Sequence, residues 1–271
     1  MRSIGAVGSH SIVGRRQQMS KTSVQHARRT TPANRLLASL PPADLARVTR
    51  SLERVHLRLG QVLHEPHQPH EDLYFPETCI VSLLGVLANG DTSEVSLTGR
   101  EGCVGLGLIL GGDSTIVRAT VQSAGTALRW NARALRQELK RGGSVEKMLL
   151  HYVQVVWTQT AQSALCNRHH TLEQQMCRWF LASLDRVNGN TLRMTQKLIG
   201  NMLGVRRERV AITAKRMRTR GWLAYQNGIV TVLNRPALEE CACECYGVIK
   251  SEYQRLFQRR RKKRDGSRKA R

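Results

Sequence analysis

The stretch from Thr195 to Leu233 restricts the fold of this chain more than any other. Thr195 is placed to cap a short helix whose Leu198, Ile199, Met202 and Leu203 point into a core, and Gly204 supplies a tight turn. A second helix follows at once. Its apolar side is Val210, Ala214 and Met217, while Arg206, Arg207, Glu208, Arg209, Thr213, Lys215 and Arg216 cover the rest. Gly221 to Leu233 then read as two alternating strands around Asn227-Gly228, a pair that favours a two-residue hairpin. Two short helices joined by a glycine turn, the second one basic at its start and followed by a hairpin wing, suit the major groove of DNA.

The chemistry at the start of the second helix separates two roles. Arginine can donate two parallel hydrogen bonds to guanine and a neighbouring glutamate can accept from cytosine, so Arg207 and Glu208 are the expected base readers. Arg206, Arg209, Thr213 and Arg216 are expected on phosphates, which position a protein without specifying sequence. Thr195 and Gln196, at the start of the first helix, complete the expected DNA-binding set.

Charge supports an acidic partner. The chain has 271 residues, room for two domains, and carries a formal charge of +23. Residues 1–33 hold six basic side chains and no acid, and residues 254–271 hold ten against Asp265, which leaves a moderately basic body. Both ends read as poor in apolar residues and are expected to be disordered, adding nonspecific phosphate affinity. A nonspecific nucleic-acid-binding protein driven by these tails is therefore the competing function.

Seven cysteines, odd in number and set in apolar sequence, argue against a disulfide framework and for a reducing cytosol. No apolar run is long enough to span a membrane, and the basic start lacks the apolar region of a secretory signal. No glycine-rich phosphate loop, paired carboxylates or nucleophile–base arrangement points to an enzyme. Cys241, Cys243 and Cys245 sit close together, but the spacing is not a usual zinc pattern and no fourth ligand is evident, so packing thiols and no metal are expected. Cys166 near His169 and His170 reads as part of a domain junction, and His64, His67 and His70 as exposed turn residues.

Upstream, residues 34–51 read as a short helix pair around Pro41-Pro42. From about 54 to 130 the period becomes two, in runs such as Val55 to Leu59, Ile80 to Leu83, Glu94 to Leu97 and Ile116 to Val121, punctuated by glycines; this predicts an antiparallel roll. Residues 144–187 contain neither glycine nor proline. Ser144 is the expected cap of a long helix there, with Val145, Met148, Leu149, Tyr152, Val155, Val156 and Gln159 on one stripe. A second copy is the simplest cover for that stripe, and packing against the roll is the alternative.

The chain resembles the Crp/Fnr family of bacterial regulators over about residues 34–250. The similarity is carried by Phe75-Pro76, Glu101-Gly102 to Gly112, Val117-Arg118-Ala119, Cys166-Asn167-Arg168, Arg178-Trp179, Asp185-Arg186, Thr195-Gln196, Met202 to Arg207, and Cys243-Glu244-Cys245-Tyr246. The resemblance implies an α+β chain: a basic tail over 1–33, a cyclic-nucleotide-binding-like sensor β-roll over 34–143, a dimerisation helix over 144–168, a winged helix-turn-helix domain over 169–250 and a basic tail over 251–271. It further implies a cytoplasmic homodimer on palindromic double-stranded DNA, with RNA polymerase as a partner. Ordinary cyclic AMP binding is not expected. Beside Gly105, Leu106 stands where nucleotide-binding members place a glutamate, and Asp113-Ser114 where they place arginine-serine; a carboxylate there repels phosphate. Arg118 is the substitute candidate in that effector pocket. No cysteine occurs in residues 1–78, so the iron–sulfur cluster of the oxygen-sensing branch is not expected, and no other cofactor is.

Overall fold

The computed structural model describes the backbone of residues 32–269 and the side chains of residues 32–258. The expected N-terminal tail lies outside the described residues, apart from Pro32, which is buried, and Ala33, whose amide donates to Glu77. Asn34 fastens the first helix to the rest of the fold. Its side-chain oxygen caps α1 (Arg35–Ala38) while its amide nitrogen donates to the carbonyls of Pro76 and Gly102. Helix α2 (Pro42–Thr49) begins at its proline, which supplies a helical φ and has no amide hydrogen to satisfy.

Seven strands then form two antiparallel sheets. They are β1 (Leu52–Leu57), β2 (Val62–His64), β3 (Asp72–Pro76), β4 (Ile80–Val86), β5 (Thr92–Thr98), β6 (Val117–Ser123) and β7 (Gly125–Asn131), with α3 (Leu106–Ile109) between β5 and β6. One sheet has the order β1-β7-β3, with Leu52 opposite Trp130; the other has the order β2-β6-β4-β5. A core of Leu57, Val81, Leu83, Val104, Ala119 and Val121 draws on strands of both sheets. This is the expected roll. Helix α4 (Ala132–Arg141), capped by Asn131, closes it and was not anticipated.

Helix α5 (Ser144–His169) matches the long helix, with two corrections. Ser144 does not cap it: the preceding residue is Gly143, no side chain caps the start, and the Ser144 hydroxyl donates to Asp44. The named stripe is buried within the chain, because Val145, Met148, Leu149, Tyr152, Val155 and Val156 pack into a core with Leu36, Phe75, Trp130 and Leu135. The exposed apolar residues of α5 are others: Leu150, Trp157 and Leu165. The helix ends at His170, where Thr171 and Gln174 form a reciprocal capping box and open α6 (Leu172–Leu184).

The remainder is α7 (Gln196–Leu203) and α8 (Arg207–Thr219), flanked by the sheet β8-β10-β9 built from β8 (Thr191–Arg193), β9 (Leu223–Gln226) and β10 (Ile229–Val232), and then α9 (Arg235–Cys241). Its core centres on Trp179, Phe180, Ile199, Val210, Met217 and Val230. Helix α10 (Cys245–Lys269) overturns the expected disorder of residues 254–269. Tyr253 and Leu256, with Ile249 and Phe257, put apolar side chains at helical spacing against the core that holds α5, and arginine and lysine continue a helix readily.

Candidate nucleic-acid interface

Thr195 caps α7 as anticipated, its hydroxyl accepting from the Leu198 amide at 3.1 Å. Gly204 ends α7 at φ 64° and ψ 34°, a left-handed conformation in which a Cβ is costly. Gly200 is the second glycine the turn requires, and the sequence reading passed over it. A Cβ there would lie 2.7 Å from the Val205 carbonyl oxygen, so its bare backbone lets the turn close.

Helix α8 buries Val210, Ala214 and Met217 and turns Arg206, Arg207, Glu208, Arg209, Lys215 and Arg216 to solvent. No side chain caps its start, where Arg206 is the N-cap residue. The uncapped amides and the helix dipole make that end electropositive, and three arginines add to it, so an anion is the complement it lacks. Thr213 leaves the set: it is 2% exposed and its hydroxyl donates to the Arg209 carbonyl, as a threonine one turn on commonly does. Arg216 is exposed but lies 3.8 Å from Glu173, which also pairs with Arg220. Two residues escaped the sequence reading. Ile212 is 61% exposed in the middle of α8, an apolar contact available to a thymine methyl, and Lys197 extends the basic surface on α7. The wing is a two-residue hairpin: Tyr225 pairs with Val230 across Asn227 and Gly228, both at positive φ.

Residues 174–241 match the Crp-like helix-turn-helix domain family. Three solved structures share the fold over most of the chain: FixK2 from Bradyrhizobium japonicum (TM-score 0.60, 18% identity, 71% of this chain and 98% of that one), a Crp/Fnr-family transcriptional regulator from Eubacterium rectale (0.63, 15%, 77% and 98%) and another from Thermus thermophilus (0.58, 18%, 70% and 98%). Residues 174–241 are thus similar to a Crp-like helix-turn-helix domain, and the chain shares the fold of Crp/Fnr-family regulators. No curated protein matches it by sequence. Among the described residues no helix is long and apolar enough to cross a membrane.

The expected effector residues are scattered in environment. Gly105 adopts φ 114° ahead of α3, Leu106 packs partly against the core, and Asp113 and Ser114 are exposed. Arg118 is held by Glu65 at 2.8 Å, so its charge is already matched. Nearby, His64 and His70 correct another expectation: both are buried and their rings stack at 3.9 Å, whereas His67 is exposed at φ 63°. Burial, with His70 alongside, pushes His64 down to about 3.

A cavity of about 280 Å³ opens elsewhere, where the roll meets α5, α6 and α10. Glu94, Glu101, Arg178, Trp179, Arg186 and Tyr253 are among its walls. These residues also tie the roll to the DNA-binding part. Trp179 Nε1 donates to Glu94 at 2.8 Å, and Arg186 and Glu101 form a buried ion pair at 2.7 Å. Burial raises the Glu94 carboxyl to about 7 against the hydrogen bonds of Ser82 and Trp179. Further out, Thr92 of β5 donates to the Asn201 carbonyl of α7.

Proposed function

We propose that this chain binds double-stranded DNA as a homodimer and reads a palindromic site through the start of α8, with Arg207 and Glu208 on base edges and Thr195, Gln196, Arg206, Arg209 and Arg216 on the backbone. The observation that carries the reading is the exposed, uncapped and arginine-flanked start of α8, set beside an exposed wing on a buried core. A second copy fits the outer face of α5. Leu150 and Trp157 are one heptad apart, Leu165 lies eight residues further, and they are 45%, 77% and 55% exposed. Pairing of two such helices sets two copies of α8 for half-sites about 34–36 Å apart. RNA polymerase is the further partner we assign to this role, and any effector acts by shifting the separation of the two α8 helices.

Selection of bound DNA from a random pool by the purified full chain tests the proposal. A two-fold symmetric consensus is expected. Enrichment of no sequence, with binding that tracks only salt, would instead establish the nonspecific basic protein.

A further inference from the structure

The turn between α9 and α10 meets the end of α5 at a cluster that DNA binding does not use. Cys166 and His170 lie one helical turn apart at the end of α5, and Cys243 and Cys245 come from the turn and the first residue of α10. One potential ligand atom from each of the four lies within 4.8 Å of all the others. Cys166 Sγ and Cys243 Sγ are 3.5 Å apart, and Cys245 Sγ is 3.4 Å from His170 Nδ1. A tetrahedral ion with bonds of about 2.3 Å to sulfur and about 2.0 Å to nitrogen requires edges of about 3.5–3.8 Å. The three sulfurs are buried and the histidine half-buried. Cys241, the remaining thiol of the sequence run, falls outside the group.

We propose that Cys166, His170, Cys243 and Cys245 form a closed Cys3His site for one zinc ion, which staples α10 to the end of α5. Four protein ligands leave no open position, so the site is structural. The surroundings fit the role. His170 Nε2 lies 3.3 Å from Glu244, an arrangement that directs the Nδ1 lone pair toward the thiols and orients the ring. Gln175 donates to the carbonyls of Cys166 and His170 and fixes the backbone between them. Three thiolates around a divalent ion carry one net negative charge. Arg178 supplies a buried positive charge that acts on Cys166, and its Nε has no hydrogen-bond partner among the described residues. A single ion also fits better than an iron–sulfur cluster, whose cysteines bind separate irons and stand further apart. Loading releases the three thiol protons to solvent.

The test uses the reduced full chain, stripped by chelator and titrated with Co²⁺, and it needs no DNA. One equivalent is expected, with the visible absorption of a tetrahedral thiolate site, bleached when Zn²⁺ displaces it. Cys166→Ser, Cys243→Ser and Cys245→Ser should each abolish the signal, whereas Cys241→Ser should keep it. Because a lost signal could reflect misfolding, His170→Cys supplies a gain: one equivalent retained with stronger thiolate charge-transfer absorption. Glu244→Ala should weaken binding by about 10–100-fold while leaving the stoichiometry at one. The proposal is overturned if the reduced, folded chain takes up no metal, if Cys166→Ser binds as the parent does, or if a Cys166–Cys243 disulfide persists in place of metal under reduction.

Discussion

The arginines at the start of α8 look interchangeable as charges, but the proposed DNA complex gives them different work. Arg207 is the first helical residue and Arg209 lies two further round. Arg207→Ala should cost about 1–3 kcal/mol on the selected site and relax preference at one base pair. Arg209→Ala should weaken all sequences alike and reduce the salt slope by about one. Binding isotherms on single-base variants at several salt concentrations separate the two; equal loss on every sequence would make Arg207 a phosphate contact. Glu94 gives a second prediction. Its carboxyl favours the proton in the folded chain, being raised from 4.5 to about 7, so the fold binds more protons than the unfolded chain between those values. Stability is therefore lost as pH rises from about 4.5 to about 7, by roughly 3 kcal/mol at most. Glu94→Gln keeps an acceptor for Trp179 and removes the slope. Denaturation midpoints of the two proteins should agree near pH 4.5 and separate above it, and parallel curves would show that Glu94 titrates normally.

The helix-turn-helix depends on a close approach that only glycine permits. Gly200→Ala pushes a methyl group toward the Val205 carbonyl and should displace α8, losing DNA affinity by about tenfold or more, since backbone shifts of this kind cost about 1–3 kcal/mol. Circular dichroism should show the helices intact, and undiminished affinity would mean that the turn opens without effect. This part of the fold was legible because its signals are local: Thr195 at a cap, Gly204 at a left-handed turn, Asn227-Gly228 at a hairpin. What could not be read was which of two apolar faces on α5 meets the rest of the chain. Tyr152 and Trp157 are both large and aromatic and, five residues apart, fall on different faces; one is fully buried and the other 77% exposed. The choice rests on the roll and on α10 together, and Tyr253 and Leu256 of α10 were hidden by the surrounding arginines. His170 as a neighbour of Cys245 was out of reach for the same reason, since their meeting requires α10 to fold back along α5.

At the scale of the whole molecule, the proposed dimer has to form without disturbing either core, and Trp157 is the most exposed apolar residue on the face of α5 assigned to it. Trp157→Asp sets like charges against each other across a symmetric seam. The variant should sediment as a monomer and lose most of its affinity for the full palindrome, while its melting temperature changes little because the side chain touches no core. A dimer of unchanged strength would move the interface elsewhere. The described chain also closes on itself. Arg35 sits over the ring of Phe257 at 4.4 Å, so the first helix and the last one meet. The helix-turn-helix part is thus buckled at two places, to the roll through Glu94 and Glu101 and, by way of α10, to α1. A head held in this way does not swing as a door does on one hinge, so the proposed re-aiming of α8 would call for the release of a strap far from the groove.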